Sequence, residues 1–277
     1  MHWQTTRFRI DLTTPRVMGI VNVTPDSFSD GGRNASTQAA LAHCERLLKD
    51  GADILDIGGE STRPGVDPVS LEDELARVLP VLREAMKLGA PISIDTYKPE
   101  VMRAALDLGC DIVNDINALQ AKGAEALIAV HPNCGVCLMH MQGEPKTMQV
   151  DPQYADVARE VRDFLAARAQ GLRAQGVADE RIVLDPGYGF GKRHEHNLEL
   201  FVRQDELRAL GLPLLVGWSR KGTLGKITGR EVGERTVASV AAALAAVQRG
   251  ARIVRVHDVA ETVDALKVWR AAGLGSP

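Results

Sequence analysis

Three polar side chains at the ends of otherwise apolar runs, Asp95, Asn114 and Asp185, form a set suited to one task. A carboxylate accepts two hydrogen bonds in a plane. These groups, with Met139 and Phe190 as apolar neighbours, can therefore bind a flat heterocycle rich in N–H donors. A second set comprises Asn22, Thr62, Arg63, Arg255 and His257. Donors and positive charge dominate it, as a phosphate or pyrophosphate requires. Arg255 and His257 alternate within RVHDV and so share one strand face. Lys221, in GWSRKG beside Ser219 and Arg220, could lie between the two sets. Asn22 ends the run VMGIVN, where an amide needs partners that a ligand or a hydrated cation could provide. Taken singly, each residue has a plainer reading. Asp95 could cap a helix, His257 could be a satisfied core histidine, and the loop glycines could only turn the chain. Their shared place at strand ends argues for a site.

Positioning such residues requires strands that all open on one face, and the chain supplies them. Phe8 to Leu12 alternates apolar and polar residues and predicts half of a short hairpin. Strands are then predicted at Val17 to Val23, Asp53 to Ile57, Ile92 to Asp95 and Asp111 to Ile116. Four more follow at Gly135 to His140, Arg181 to Asp185, Leu214 to Gly217 and Ile253 to Val256. Helices are expected between them, over 37–50, 70–88, 99–108, 122–130, 154–175, 198–210, 233–248 and 259–272, several of them closed by glycine. Eight strand–helix units without a linker predict an α/β chain of one domain over residues 1–277, closed as a (β/α)8 TIM barrel behind a short N-terminal β-hairpin. A doubly wound open sheet is the other option, but no GxGxxG follows the first strand to favour a dinucleotide fold.

Composition narrows the partners. A net charge of −3 gives no reason to expect nucleic acid or an anionic membrane, so an anionic ligand must be held by local charge. Aromatic residues make up 4%, too few for a platform that stacks bases. No apolar run reaches the length of a membrane span, and the first residues lack the apolar core of a signal peptide, so a cytoplasmic location is expected. Four scattered cysteines do not make a disulfide framework. Cys134 and Cys137 form a CxxC that runs into a strand rather than opening a helix, which favours packing over redox chemistry.

NVTPDSFSDGG at Asn22, GGESTRPG at Gly58, SIDTYKP at Ser93 and VNDI at Val113 appear in that order. LMHMQGEPKTMQ at Leu138, LDPGYGFGK at Leu184, GWSRKG at Gly217 and RVHDV at Arg255 complete the series. Together, over nearly the whole chain, they resemble the motifs of the dihydropteroate synthases, folate-pathway enzymes that join a pterin to p-aminobenzoate. The resemblance implies a reaction in which the amine of p-aminobenzoate displaces pyrophosphate from (7,8-dihydropterin-6-yl)methyl diphosphate. By that resemblance Asp95, Asn114, Asp185 and Lys221 bind the pterin, with Ile20, Ile116, Met139 and Phe190 walling its pocket. Asn22 takes Mg2+ through its amide oxygen, while Thr62, Arg63, Arg255 and His257 hold the diphosphate. Thr62, Pro64, Phe190, Ser219 and Lys221 line the p-aminobenzoate site, which in the family also admits sulfonamides. Asp30 and Phe28 close over the reacting centre. The resemblance also implies a homodimer; the small-residue stretch VASVAAALAAV from Val237 suits close packing against a partner and against the barrel equally. Two rivals share part of this pattern. A methyltetrahydrofolate-dependent corrinoid methyltransferase would use the pterin set and have no use for the diphosphate set. A non-catalytic pterin-binding paralogue would show losses in the loops, and none is evident.

Overall fold

The computed structural model describes residues 1–24, 32–62 and 65–274. Phe28, Asp30, Arg63 and Pro64, all assigned roles above, lie outside the described residues. The chain begins with an antiparallel pair, β1 (His2–Gln4) and β2 (Arg9–Asp11). It continues through β3 (Arg16–Asn22), α1 (Gly32–Lys49), β4 (Ile54–Gly58), α2 (Leu71–Ala85), β5 (Ile92–Asp95), α3 (Pro99–Asp107) and β6 (Ile112–Asp115). Then come α4 (Ala124–Val130), β7 (Gly135–Met139), α5 (Val157–Ala174), β8 (Ile182–Asp185), α6 (His194–Val202) and α7 (Asp205–Arg208). The last elements are β9 (Leu214–Val216), α8 (Gly222–Thr228), α9 (Thr236–Gln248), β10 (Ala251–Val256) and α10 (Val259–Ala271). Strands β3 to β10 are parallel and close on themselves, with β10 beside β3. This is the (β/α)8 barrel expected from the repeating pattern.

Strand alternation divides the apolar residues into two cores. Val17, Val21, Leu55, Ile57, Val113, Leu138, Leu184 and Val254 face outward and pack under the helices. Met18, Ile54, Ile112, Cys137, Val183, Leu215 and Ile253 fill the barrel interior. The N-terminal hairpin closes that interior from below: Trp3, Ile10 and Leu12 join the inner cluster. Trp3 is fully buried and its Nε1 donates to the Arg181 carbonyl at 3.0 Å. Gly135 makes the room, since a Cβ there would stand 3.0 Å from Trp3 Nε1 and 3.1 Å from the Gln4 carbonyl. Arg7 ties the hairpin to the wall through Asp111, with Nη2 to Oδ2 at 2.5 Å. Trp3→Ala therefore destabilises the fold by about 3 to 5 kcal/mol, the range for emptying a buried aromatic site. Denaturant unfolding measures this, and kcat/KM of the folded variant stays unchanged because the hairpin seals the end opposite the catalytic face.

One predicted helix is divided in the structure. The helix predicted over 198–210 begins at His194 and breaks into α6 and α7. Asn197 pulls the start forward, accepting from the Gly189 N–H at 2.7 Å and donating to the Lys192 and Arg193 carbonyls. Gln204, fully buried, marks the break and donates to the Ala246 and Arg249 carbonyls at 3.1 Å each. The first cause is a local side-chain cap and the second a tertiary contact, and apolar periodicity carries neither.

The four cysteines are free and buried, and Cys134 and Cys137 belong to different apolar clusters. Burial pushes the Cys134 thiol up to about 12, so this CxxC lacks the thiolate that redox chemistry needs. No helix among the described residues is long and apolar enough to cross a membrane.

Candidate active site

Above the apolar floor the barrel interior turns polar and opens into a cleft of about 1350 Å³ at the carboxyl ends of the strands. Every predicted site residue among those described lines it. Ile20, Asn22 and Thr62 stand on one side. Asp95, Asn114, Ile116, Met139, Asp185 and Phe190 continue the wall, and Ser219, Lys221, Arg255 and His257 complete it. Strand register joins the two sets: Asn22 pairs with Gly58, Gly58 with Asp95, and Asp95 with Asn114, forming one row across four strands. Gly58 keeps that row open, because a Cβ there would lie 3.3 Å from Asp95 Cβ.

The deepest layer holds a residue that sequence reasoning missed. Asp56, fully buried on β4, accepts from Arg255 Nε at 2.6 Å and from Asn114 Nδ2 at 3.1 Å. Arg255 Nη2 donates to Asp95 Oδ2 at 2.6 Å, so the guanidinium is clamped between two carboxylates. Burial opposes the Arg255 charge, but the two carboxylates outweigh it and raise the guanidinium above its ordinary value. The resemblance assigned Arg255 to a diphosphate. In this structure Nε and Nη2 are engaged inside the barrel, and Nη1 has no hydrogen bond among the described residues. An acid within the apolar run Asp53 to Ile57 was the available signal for Asp56.

These contacts fix which atoms face the cleft. A carboxylate only accepts, so the bond to Asp56 orients the Asn114 amide and turns Oδ1 away as a free acceptor. Asp95 spends Oδ2 on Arg255, and Asp185 spends Oδ1 on the Gly187 N–H at 2.7 Å. One oxygen of each remains for a ligand. Burial raises Asp95 to about 7 against the pull of Arg255. It raises Asp185 to about 6, against the Gly187 N–H, Lys221 and Arg255. Lys221 Nζ lies 4.1 Å from the centre of the Phe190 ring. Burial, with Arg255 nearby, lowers this ammonium to about 8.

On the other side, Ser219 Oγ accepts from the His257 N–H at 3.1 Å and lies 2.9 Å from His257 Nδ1. The hydroxyl can donate to Nδ1, and in that tautomer the ring proton sits on Nε2 as a donor. Burial, helped by Arg255 and Arg220, lowers His257 to about 3, so it acts as a neutral donor. Arg220 takes a left-handed φ of 59° between Ser219 and Lys221. Its side chain is paired with Asp258 at 2.6 Å, its N–H donates to Ser239 Oγ at 2.9 Å, and Arg235 donates to its carbonyl at 3.1 Å. This turn aims Ser219 and Lys221 into the cleft from a backbone conformation held on three sides.

The described residues contain no cluster of three potential acidic, histidine or cysteine metal ligands. Asn22, half-buried at the lip of the cleft, makes no side-chain hydrogen bond among them. A hard cation held by one protein oxygen, with waters and substrate phosphates completing its shell, fits such a donor.

Residues 18–257 match the model of the pterin binding enzyme family. A dihydropteroate synthase of Neisseria meningitidis serogroup B is 57% identical over 278 aligned residues, covering 98% of each chain. The chain belongs to the dihydropteroate synthase family. A crystal structure of the Burkholderia cenocepacia dihydropteroate synthase complexed with 7,8-dihydropteroate superposes with a TM-score of 0.89, at 52% identity, covering 98% of this chain and 96% of that one. The Xanthomonas albilineans dihydropteroate synthase with 4-aminobenzoic acid superposes at 0.92, with 48% identity and 99% of both chains covered. Within the dihydropteroate synthase family the cleft has a chemical reading: an acceptor-lined well beside a rim of donors.

Proposed function

We infer that this chain condenses (7,8-dihydropterin-6-yl)methyl diphosphate with p-aminobenzoate, giving 7,8-dihydropteroate and pyrophosphate. The observation that carries the reading is the register row from Asn22 to Asn114, which joins an acceptor well to a donor rim. A corrinoid methyltransferase would need only the well. In the well, the free oxygens of Asp95, Asn114 and Asp185 accept the N–H groups of the pterin, and Lys221 donates to its acceptor atoms. Ile20, Ile116, Met139 and Phe190 supply apolar walls. At the rim, Thr62 and His257 donate to the diphosphate, together with Arg63 and the free Nη1 of Arg255.

Ser219, Lys221, Phe190, Thr62 and Pro64 receive the p-aminobenzoate, and a sulfonamide of similar shape competes there. The amine lone pair forms the new C–N bond at the pterin methylene as the C–O bond breaks. The bond electrons leave on the pyrophosphate oxygen, and the amine proton passes to solvent. We propose that bond breaking leads. The methylene then carries positive charge delocalised into the pterin, which Asp185 stabilises, and Asp30 with it. Asn22 would hold Mg2+, which when bound supplies charge neutralisation for the leaving group. By the resemblance Phe28 also belongs to the reacting centre. No residue is asked to act as a covalent nucleophile. Single-turnover quenching tests this: free 7,8-dihydropteroate is expected as the first labelled product, and a protein-bound pterin adduct would refute the mechanism.

The titrating groups predict a bell-shaped pH dependence of kcat/KM. Protonation of Asp95 or Asp185 removes the negative charge that strengthens their acceptance of N–H groups and can place a proton on the one oxygen left for the ligand, so activity falls as pH drops through about 7 and about 6. Lys221 carries positive charge only when protonated, so the charge-assisted bond it offers is lost and activity falls again as pH rises through about 8. Initial rates at low pterin diphosphate concentration, across pH, measure both limbs.

We further propose a cytoplasmic homodimer. The free thiols suit a reducing compartment. Association through α8 to α10 is supported by the exposed side chains Val237 (82%), Val268 (69%) and Ile227 (56%). Light scattering of Val237→Asp against the parent chain reads the oligomeric state, with a monomer expected for the variant.

A further inference from the structure

Lys192 ends the loop that follows β8, and its ammonium group is 2% exposed with no carboxylate partner. Four acceptors surround Nζ instead: His140 Nδ1 at 2.9 Å, the Gly187 carbonyl at 2.9 Å, the Phe190 carbonyl at 3.0 Å and, at a longer 3.3 Å, the His140 carbonyl. An ammonium group has three N–H bonds, and all three are used. The loop it holds lies directly on the end of β7. A Cβ at Gly187 (φ +66°) would stand 1.9 Å from the His140 carbonyl, and one at Gly191 (φ +57°) 2.2 Å from that of Gln142. Burial lowers this amine to about 7, against the nearby Asp185, which favours its charged form; a buried cation without a direct carboxylate partner is expensive, so its place beside the cleft calls for a functional account.

We propose that Lys192 is a positioning residue that staples residues 186–192 to the end of β7 and thereby sets Asp185, Phe190 and Lys221 in working geometry. Each link is direct. Gly187, held by its carbonyl, gives its N–H to Asp185 Oδ1 at 2.7 Å. Phe190 is held by its own carbonyl and carries the ring beneath the Lys221 ammonium. Gly189 lies between them, with its Cβ position 3.1 Å from Lys221 Cδ, so the lysine stem rests on the stapled backbone. His140 is matched to the role. Burial, with Lys192 beside it, lowers its ring to about 2, keeping Nδ1 an acceptor, and the ring is braced edge-on by Phe164 at 5.0 Å.

This proposal rests on the synthase reading of the cleft, and its test separates the two. Asp185 is faced by Lys221 after β9, Arg255 on β10, Cys137 on β7 and, from its own loop, Tyr188 and Lys192. Lys192 itself faces Asp185, Lys221 and His140. Lys192→Met removes a cation from this group and frees the loop. We expect kcat/KM to fall about 10²-fold, as for a small misplacement of reacting groups. We also expect the lower step of the acid limb, that of Asp185, to move toward alkaline pH, because Asp185 loses a nearby positive charge. A merely structural role would lower the rate evenly at all pH values. If the variant does not fold, His140→Phe keeps the packing on Phe164 and removes one acceptor; a smaller alkaline shift of the same limb is expected. Wild-type kcat/KM, or a uniform loss with an unmoved acid limb in a folded variant, would overturn the proposal. Failure of the parent chain to form 7,8-dihydropteroate would count against the synthase reading instead.

Discussion

Lys221→Met lowers kcat/KM by about 10³-fold and changes stability by less than about 1 kcal/mol. The two parts of this expectation have separate causes. Lys221 is the cation placed over Phe190 and influenced by both Asp185 and Asp95, at the junction of the well and the rim. Its removal takes a donor from the pterin and a positive charge from the site where charge separates. Electrostatic groups aimed at a reacting centre carry effects of that size. Stability is spared because the turn is held elsewhere: the Lys221 N–H reaches the Trp218 carbonyl at 3.1 Å, and Arg220 is anchored by Asp258. The residual activity of the variant should also lose its alkaline limb near pH 8, since the group that titrates there is gone. Steady-state kinetics with thermal unfolding reads all of this, and a variant with a normal rate would remove Lys221 from the site.

Arg255→Met is expected to damage fold and function together. The guanidinium is 22% exposed and stands between Asp56, fully buried, and Asp95, 12% exposed. Removing one member of a buried ion cluster leaves uncompensated charge and costs about 3 to 5 kcal/mol. The pH dependence follows from the sign of the shift. Burial already raises Asp95 above its unfolded value and Arg255 restrains it, so the variant raises Asp95 further. A carboxylate whose folded pKa is raised stabilises the fold below that value and loses the contribution as pH climbs through it. The variant should therefore be closest to the parent chain in mildly acid solution and weakest above about pH 7. Its activity falls at every pH, because Asp95 and Asn114 lose the clamp that orients them and the rim loses a donor. Unfolding curves at several pH values decide the matter; a pH-independent difference from the parent chain would contradict the role given to Asp95.

The barrel was legible because apolar runs of strand length recur with amphipathic helices between them, and the residues that bear chemistry fall where those runs stop. Asp95, Asn114 and Asp185 could be read as one set for that reason, since a closed barrel brings all strand ends to one mouth. Asp56 escaped because its meaning depends on Arg255, remote in sequence and adjacent only after closure. Arg255 was read for its charge as a diphosphate donor, and its bonds to two carboxylates went unread because Asp56 and Asp95 meet it only in the closed barrel. Lys192 drew no reading from the sequence, because the acceptors gathered around Nζ come together only in the fold. Gln204 broke a predicted helix for the same kind of reason, a buried amide answering carbonyls at the end of α9. Periodicity reports which face of an element is buried. It does not report which polar group a neighbouring element will offer.

Pyrophosphate release by the purified chain tests the central claim most directly. With the dihydropterin diphosphate, Mg2+ and p-aminobenzoate together, release is expected in step with 7,8-dihydropteroate, and omission of any one component should abolish it. Tight pterin binding without release would leave a binding protein and refute the condensing activity.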